Sequence, residues 1–353
     1  PPHADGTLPL SLDVPAKGKC FVNICYHCKQ DSALIKADHL LGFDEIPLQN
    51  SDPRNQDAVQ LLGRPAGDGL ITIRETDRML VLSCEQFTYV FNKLTGLFDK
   101  MTFANEPLLD QPMGFNVWRA PTDNDRKLKA DWYAAHYDHA ATNAYHTEYT
   151  VTASGVTLHT HVGIAAICVQ KFLDLDVTWT VANNGSVDLA LHAQRNTVFP
   201  ELPRFGLRLF LPQEMSQVNY YGMGPMECYC DKHHAASHNS YTATVWQLHE
   251  DYIRPQENGS HFDCDYVMLA GDAVRLTAVG TQPFSFNASH YTQEELTRKA
   301  HNYELEPCSS TVLCLDYAQN GIGSESCGPR LLEQYRLDDA TFNFGLRLFP
   351  EKK

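Results

Sequence analysis

The sequence lacks a long apolar run and is short of basic residues. Across its 353 residues, no stretch approaches the ~20 consecutive apolar residues that a membrane-spanning helix needs. Lysine and arginine together number 28, against 43 aspartates and glutamates, which gives a formal net charge of −15. Such an acidic chain is poorly suited to a nucleic-acid backbone or an anionic membrane surface, so we expect neither as a partner.

Cysteine usage and the start of the chain indicate the compartment. The eleven cysteines are scattered without the regular spacing of a disulfide framework, which is typical of reduced thiols in the cytoplasm. No signal-peptide pattern opens the chain. Because the first residue is Pro1 rather than methionine, we expect a piece of a longer cytoplasmic polypeptide.

Two groups of cysteine and histidine invite a test for metal binding. The first comprises Cys20, Cys25, His27 and Cys28, and the second Cys228, Cys230, His233 and His234. A closed zinc site usually takes its ligands from two separated pairs, and neither group has that arrangement. In the predicted strand of the first group, Cys25 and Cys28 would also face opposite sides. We therefore predict no metal site in this chain.

The spacing of apolar residues predicts an all-β fold. Apolar and polar residues alternate most clearly over three segments, 176–181, 205–211 and 342–348. A period of two is typical of half-buried antiparallel strands. Residues 183–186, Asn-Asn-Gly-Ser, predict a hairpin turn. Helical signals are few: a capping box at 292–295 predicts a short helix, and 130–140 predicts another.

The densest stretch of special chemistry is the octet 118–125, Trp-Arg-Ala-Pro-Thr-Asp-Asn-Asp. Pro121 fixes its own φ and pushes the preceding residue into an extended conformation. Arg119 can place its guanidinium on Asp123 or Asp125, so we predict a largely buried ion pair. The octet is therefore predicted to be a shaped, internally bonded loop, which a purely structural role would also explain.

The octet resembles the signature of the C-terminal domain of β-galactosidases of glycoside hydrolase family 2. Five more motifs stand in the order of that family: 91–96 (FNKLTG), 222–227 (GMGPME), 252–259 (YIRPQENG), 288–291 (ASHY) and 321–329 (GIGSESCGP). Each motif alone is weak, but six in order over roughly 70–350 make a specific signal.

The resemblance implies a domain organisation. Residues 70–353 are expected to form the galactose-mutarotase-like β-supersandwich of the family. Residues 1–50 resemble the end of an immunoglobulin-like β-sandwich, with strands predicted over 20–26 and 41–48. A complete domain of that kind has about seven strands, and here there is room for three or four. Residues 51–69, polar and rich in proline and glycine, are predicted to be a linker.

The resemblance also implies an activity that this chain does not complete. In the family, the two catalytic glutamates lie on a separate (β/α)8 barrel, which needs ~250 residues of alternating strands and helices. No such stretch is present, so we expect no catalytic residue here. The implied function is the non-barrel portion of an oligomeric enzyme that hydrolyses terminal β-D-galactosides such as lactose. Its partner is the barrel portion, and Mg²⁺ and Na⁺ are expected on other domains, with no cofactor in this chain.

Two segments are expected to reach the rim of the active site, as their counterparts do in relatives: the octet with its continuation to residue 131, and residues 324–329. The first supplies five of the six expected rim residues, and the second supplies the last: Arg119, Asp123, Asn124, Asp125, Arg126 and Cys327. Some family members have a tryptophan at the position of Cys327, which stacks on the departing sugar. A thiol cannot stack, and a small residue packed in a glycine-rich turn is an equally good interpretation.

Several glutamate and histidine residues leave other functions open. Glu257 with His261 is a possible sugar-binding or acid/base pair, although structural hydrogen bonding also explains it. Glu227 with His233 or His234 is another possible acid/base pair. The alternatives to the galactosidase interpretation are a self-contained aldose-mutarotase-like enzyme and a non-catalytic carbohydrate-binding module.

Overall fold

The computed structural model describes residues 5–48, 54–323, 325 and 327–353. The chain divides into two compact units, residues 1–60 and 61–353. No helix in these described parts has the length and apolar character needed to cross a membrane.

The first unit contains a β-hairpin. Strand β1 (Cys20–His27) pairs antiparallel with β2 (Leu40–Leu48), with Cys20 opposite Leu48. Both predicted strands are present, and they are the two strands of the described part of this unit. Helix α1 (Gln56–Leu62) lies within the segment predicted to be a linker, and the Asn55 side chain accepts a hydrogen bond from the Asp57 amide at 2.8 Å near its start.

The second unit begins with a five-stranded antiparallel meander in chain order. Its strands are β3 (Thr72–Glu75), β4 (Met79–Ser83), β5 (Phe87–Asn92), β6 (Leu97–Phe103) and β7 (Glu106–Pro107). Alternate residues of β5 are buried, which follows from the period of two in its sequence.

A twelve-stranded sheet forms the rest of the second unit. Nine strands run in the order β15-β14-β16-β17-β19-β12-β11-β10-β9, while β18 pairs with β17 and β13, and β8 pairs with β13. The strands are β8 (Gln111–Asn116), β9 (Ala141–Thr152), β10 (Gly155–Ala165), β11 (Leu173–Ala182), β12 (Val187–Arg195), β13 (Arg204–Pro212), β14 (Gln217–Gly224), β15 (Ser237–Thr244), β16 (Ser260–Ala270), β17 (Val274–Ser289), β18 (Ser310–Gln319) and β19 (Thr341–Lys352).

The all-β prediction is confirmed. The three alternating segments lie in β11, β13 and β19, and residues 183–186 connect β11 to β12. Helix α2 (Leu128–Ala134) lies in and just before the segment predicted over 130–140. Helix α3 (Gln293–Arg298) begins after Thr292, whose side chain accepts a hydrogen bond from the Glu295 amide at 3.1 Å.

Trp179 ties the meander to the large sheet. It lies on β11 with no exposed surface, and its ring meets that of Phe98 on β6 edge to face at 5.3 Å. Its indole Nε1 donates a hydrogen bond to the buried carbonyl of Gly96 at 3.0 Å. One side chain therefore contributes both packing and a polar bond across the two sheets.

Replacing Trp179 with phenylalanine should destabilise the second unit. The change leaves the Gly96 carbonyl buried without its donor, which costs about 1–3 kcal/mol, and it also removes packed volume. The measurement is the urea midpoint followed by circular dichroism. Trp246, which is 51% exposed, provides the control. Equal midpoints for Trp179→Phe and Trp246→Phe would contradict this account.

Candidate functional site

The octet is organised around a buried ion pair. Arg119 has no exposed surface, and its Nη2 and Nε lie 2.7 and 3.3 Å from Oδ1 and Oδ2 of Asp125. Asp125 Oδ2 also accepts hydrogen bonds from the amide and the hydroxyl of Thr122, at 2.9 and 3.2 Å. Of the two partners predicted for Arg119, Asp125 forms the pair, and the loop is bonded internally.

The same arginine binds a second segment, 320–323, which we call the rim turn. It follows the end of β18, and Arg119 donates hydrogen bonds to the carbonyls of Asn320 and Gly321, the latter at 3.2 Å. Asn124 adds a bond from its side-chain amide to the Ile322 carbonyl at 2.6 Å. The octet and the fragment that leads to Cys327 are therefore joined directly.

Asp231 holds the rim turn from another side. Its Oδ1 accepts the amide of Ile322 at 3.0 Å, and its Oδ2 accepts the amide of Gly323 at 2.7 Å. A Cβ on Gly321 would lie 2.6 Å from Asp231 Oδ2, so the close approach requires glycine there. Sequence analysis missed Asp231, and the one signal for it was its position four residues after the 222–227 motif.

The other three expected rim residues, Asp123, Arg126 and Cys327, are exposed. Asp123 Oδ1 is 3.6 Å from Arg254 Nη1, and both side chains are more than half exposed. Arg126 lies in the short 3₁₀ turn that follows Asp123. Cys327 is also exposed. Their roles at a sugar site stay predictions.

Glu257 and His261 are buried, at 3% and 1% exposure, and belong to different hydrogen-bonded groups. Glu257 accepts bonds from Arg204 at 3.1 Å and from Asn287 at 2.9 Å. Burial raises the pKa of the Glu257 carboxyl, although Arg204 opposes this rise. Burial lowers the pKa of His261 to about 4, so its ring is neutral at pH 7. In this conformation neither side chain is open to solvent, and their predicted sugar contact stays a prediction.

Glu227 lies beside a pocket of about 440 Å³. Its carboxylate accepts bonds from Lys232 Nζ at 2.6 Å and from the Gly259 amide at 2.9 Å. His233 instead uses Nδ1 to contact the carbonyl of Tyr229 at 3.2 Å. Glu227 is therefore bonded to a lysine and a backbone amide, while His233 and His234 line the same pocket, and the acid/base pairing stays a prediction.

The two groups of cysteine and histidine lie in the described part of the chain, at 20–28 and 228–234. In the described part of the chain, no group of three or more histidine, cysteine, aspartate or glutamate residues is placed to hold a metal ion. Burial raises the pKa of the Cys228 thiol to about 11 and that of Cys230 to about 12. Both thiols are therefore protonated at neutral pH.

Replacing Arg119 with methionine should lower the melting temperature by several degrees. The substitution leaves the Asp125 carboxylate buried without its partner, which costs about 3–5 kcal/mol. Differential scanning calorimetry measures the effect, with the exposed neighbour Arg126→Met as the matched control. If both variants have the melting temperature of the wild-type protein, the octet does not depend on this ion pair.

Sequence comparison relates the chain to β-galactosidases. The family model described as "Beta galactosidase small chain" matches residues 83–348. The β-galactosidase of Actinobacillus pleuropneumoniae is 37% identical over 351 residues, which is 99% of this chain. That of Staphylococcus xylosus is 34% identical over 348 residues, which is 98% of this chain. The chain spans 34% of the length of either relative.

Structural comparison gives more distant matches. A galactose 1-epimerase from Lactobacillus acidophilus NCFM has a TM-score of 0.43 at 7% identity, covering 81% of this chain and 99% of that one. A galactose mutarotase-like protein from Lactobacillus casei ATCC 334 has a TM-score of 0.40 at 11% identity, covering 80% of this chain and 100% of that one. The sequence match over residues 83–348 decides the family: the chain belongs to the β-galactosidase small-chain family.

Proposed function

We propose that this chain is the C-terminal, non-barrel portion of a β-galactosidase that hydrolyses terminal β-D-galactosides of the lactose type. The proposal is supported by the family match and by relatives named β-galactosidase of which the chain spans about a third. The catalytic carboxylates come from a barrel portion, either in the same polypeptide or in a separate subunit.

The observation that carries the proposal is the junction of the octet and the rim turn. Arg119 and Asp231 bond the same four-residue turn from two sides through its carbonyls and amides. The exposed side chain of Asp123 belongs to the octet that this framework holds. Such an arrangement is suited to position a sugar, because contacts held in place before binding lose little freedom when it binds.

The buried carboxylates of this chain favour an accessory role. A retaining glycosidase needs two carboxyl groups about 5 Å apart across the bond that is cleaved. Glu257 and Asp316 share Arg204 as a partner, but all three side chains are buried, so no sugar reaches them in this conformation. The chain is therefore expected to shape the site and to leave bond cleavage to the barrel portion.

The proposal includes the wider organisation of the enzyme. Residues 1–50 belong to the end of an immunoglobulin-like domain, 51–69 connect the domains, and 70–353 form the supersandwich. The ligands are β-galactosides, the partner is the barrel portion, and the assembly is a cytoplasmic oligomer.

The purified chain should not hydrolyse a chromogenic β-galactoside, and activity should appear when the barrel portion is supplied, by co-expression or as a fusion. The reason is that the two catalytic carboxylates are expected on the barrel portion. If the chain alone hydrolyses the galactoside and the Glu257→Gln variant does not, the proposal is contradicted. Polarimetry of α-D-galactose with the same sample tests the mutarotase alternative. A mutarotase would make the optical rotation of the sugar change faster with the protein than in buffer alone.

In the complete enzyme, Cys327→Ala should change KM or acceptor preference mildly and leave kcat nearly unchanged. A residue that contacts the leaving sugar equally in ground and transition states affects binding alone. Cys327→Trp should improve acceptor binding by adding a stacking face. Steady-state kinetics with lactose measure both. A loss of kcat by about a thousandfold, or ~4 kcal/mol of transition-state stabilisation, would instead indicate a catalytic thiol.

A further inference from the structure

A basic pocket adjoins the octet. It has a volume of about 390 Å³ and is lined by Pro121, Lys129, Tyr133, Arg254, Pro255, Thr297, Arg298, Lys299 and Ala300. Pro121 belongs to the octet, Lys129 and Tyr133 lie on α2, and the last four residues include the end of α3 and the chain that follows it. Three parts of the sequence therefore meet at one opening beside the proposed rim.

The pocket differs in charge from the rest of the chain. Four of its nine lining residues are lysine or arginine and none is acidic, although the chain carries a net charge of −15. A concentration of positive charge on an acidic protein attracts anions locally, because nearby charges act over about 10 Å at ordinary ionic strength.

Carboxylates behind the pocket orient some of these cations. Glu295 contacts Arg298 and lies 3.4 Å from Lys299, and Glu306 lies 3.8 Å from Lys299. Arg254 is 64% exposed and lies 3.6 Å from Asp123, a solvated pair that contributes little. The lining itself is therefore basic, with four cations and no acidic residue, and the carboxylates lie around it: Asp123, Asp138, Glu295 and Glu306.

The remaining wall suits a sugar. The Tyr133 ring lies 5.2 Å from the Trp118 ring, and Trp118 Nε1 donates to the Thr297 hydroxyl at 3.1 Å, so the aromatic face is supported from behind. Burial, together with nearby Asp138, raises the pKa of the Tyr133 hydroxyl, which stays protonated and can donate a hydrogen bond. An aromatic face next to guanidinium and ammonium groups is the combination that a sugar acid needs.

We propose that the basic pocket binds the carboxylate of a sugar acid in the leaving-group part of a β-galactoside, so that the enzyme prefers galactosides with an acidic aglycone. The inference rests on the proposed function, because the octet contributes to both the rim and the pocket. Arg254 and Lys129 supply the charge-assisted bonds, and Tyr133 packs against the carbon skeleton.

Two disaccharides provide a matched test. Lactobionate and lactitol both carry a β1,4-linked galactosyl group, and they differ only in a carboxylate or a hydroxymethyl group at one end. In the complete enzyme we expect kcat/KM for lactobionate to exceed that for lactitol at low salt, and added salt should reduce the ratio. Lys129→Glu and Arg254→Gln should each lower the ratio about tenfold, the effect of losing a hydrogen bond between charged groups. Lys100→Glu, an exposed change on β6 outside the pocket, should leave it unchanged.

The possible outcomes distinguish a failure of this inference from a failure of the proposed function. Turnover of lactose and lactitol with no preference for lactobionate, or with a preference that Lys129→Glu and Arg254→Gln preserve, would overturn the inference and leave the proposed function standing. Absence of any galactoside turnover would overturn the proposed function. In that case the melting temperature of the purified chain, measured with each disaccharide, tests whether the pocket binds a sugar acid. Stabilisation by lactobionate but not by lactitol supports binding, and equal melting temperatures contradict it.

Discussion

The guanidinium of Arg119 is the constraint on which the proposed site depends. It is buried and bonds at the same time to a carboxylate of its own loop and to two carbonyls of the rim turn, about 200 residues further along the chain. Its planar, multiply donating shape is needed, because a lysine ammonium cannot present several donors in fixed directions. Without it, Asp125 would lie buried without a cation, and the octet and the turn would lose their common centre.

A second buried arginine shows what one of the signature motifs does. Arg204 bonds Glu257 of the 252–259 motif, Asp316 on β18 and Asn287 on β17. These bonds tie neighbouring segments of the large sheet and satisfy polar groups that no water reaches. The sequence allowed both a sugar-binding and a structural interpretation of Glu257, and its described contacts are those of a buried ion pair. Motifs recognised by their polar residues can therefore report the interior of a fold as well as its active surface.

Local patterns predicted the strands well, because alternation is a property of neighbouring residues. The segments in β11, β13 and β19 and the turn at 183–186 were all found in this way. The order of strands in the sheet was not accessible, since pairs such as β12 with β19 join residues about 150 positions apart in the sequence. Asp231 was missed because its partners are backbone amides of a turn that is distant in the sequence. Almost every residue has a backbone amide, so the sequence does not show which one an aspartate binds.

The contacts that fix the rim turn are to its main-chain carbonyls and amides, with glycine at two of its four positions. These bonds from Arg119, Asn124 and Asp231 recognise the path of the main chain and not the side chains that the turn carries. Evolution can therefore change side chains of this segment other than its glycines while these main-chain bonds are kept. The path of the rim turn and the chemistry of its side chains are thus encoded by separate sets of residues.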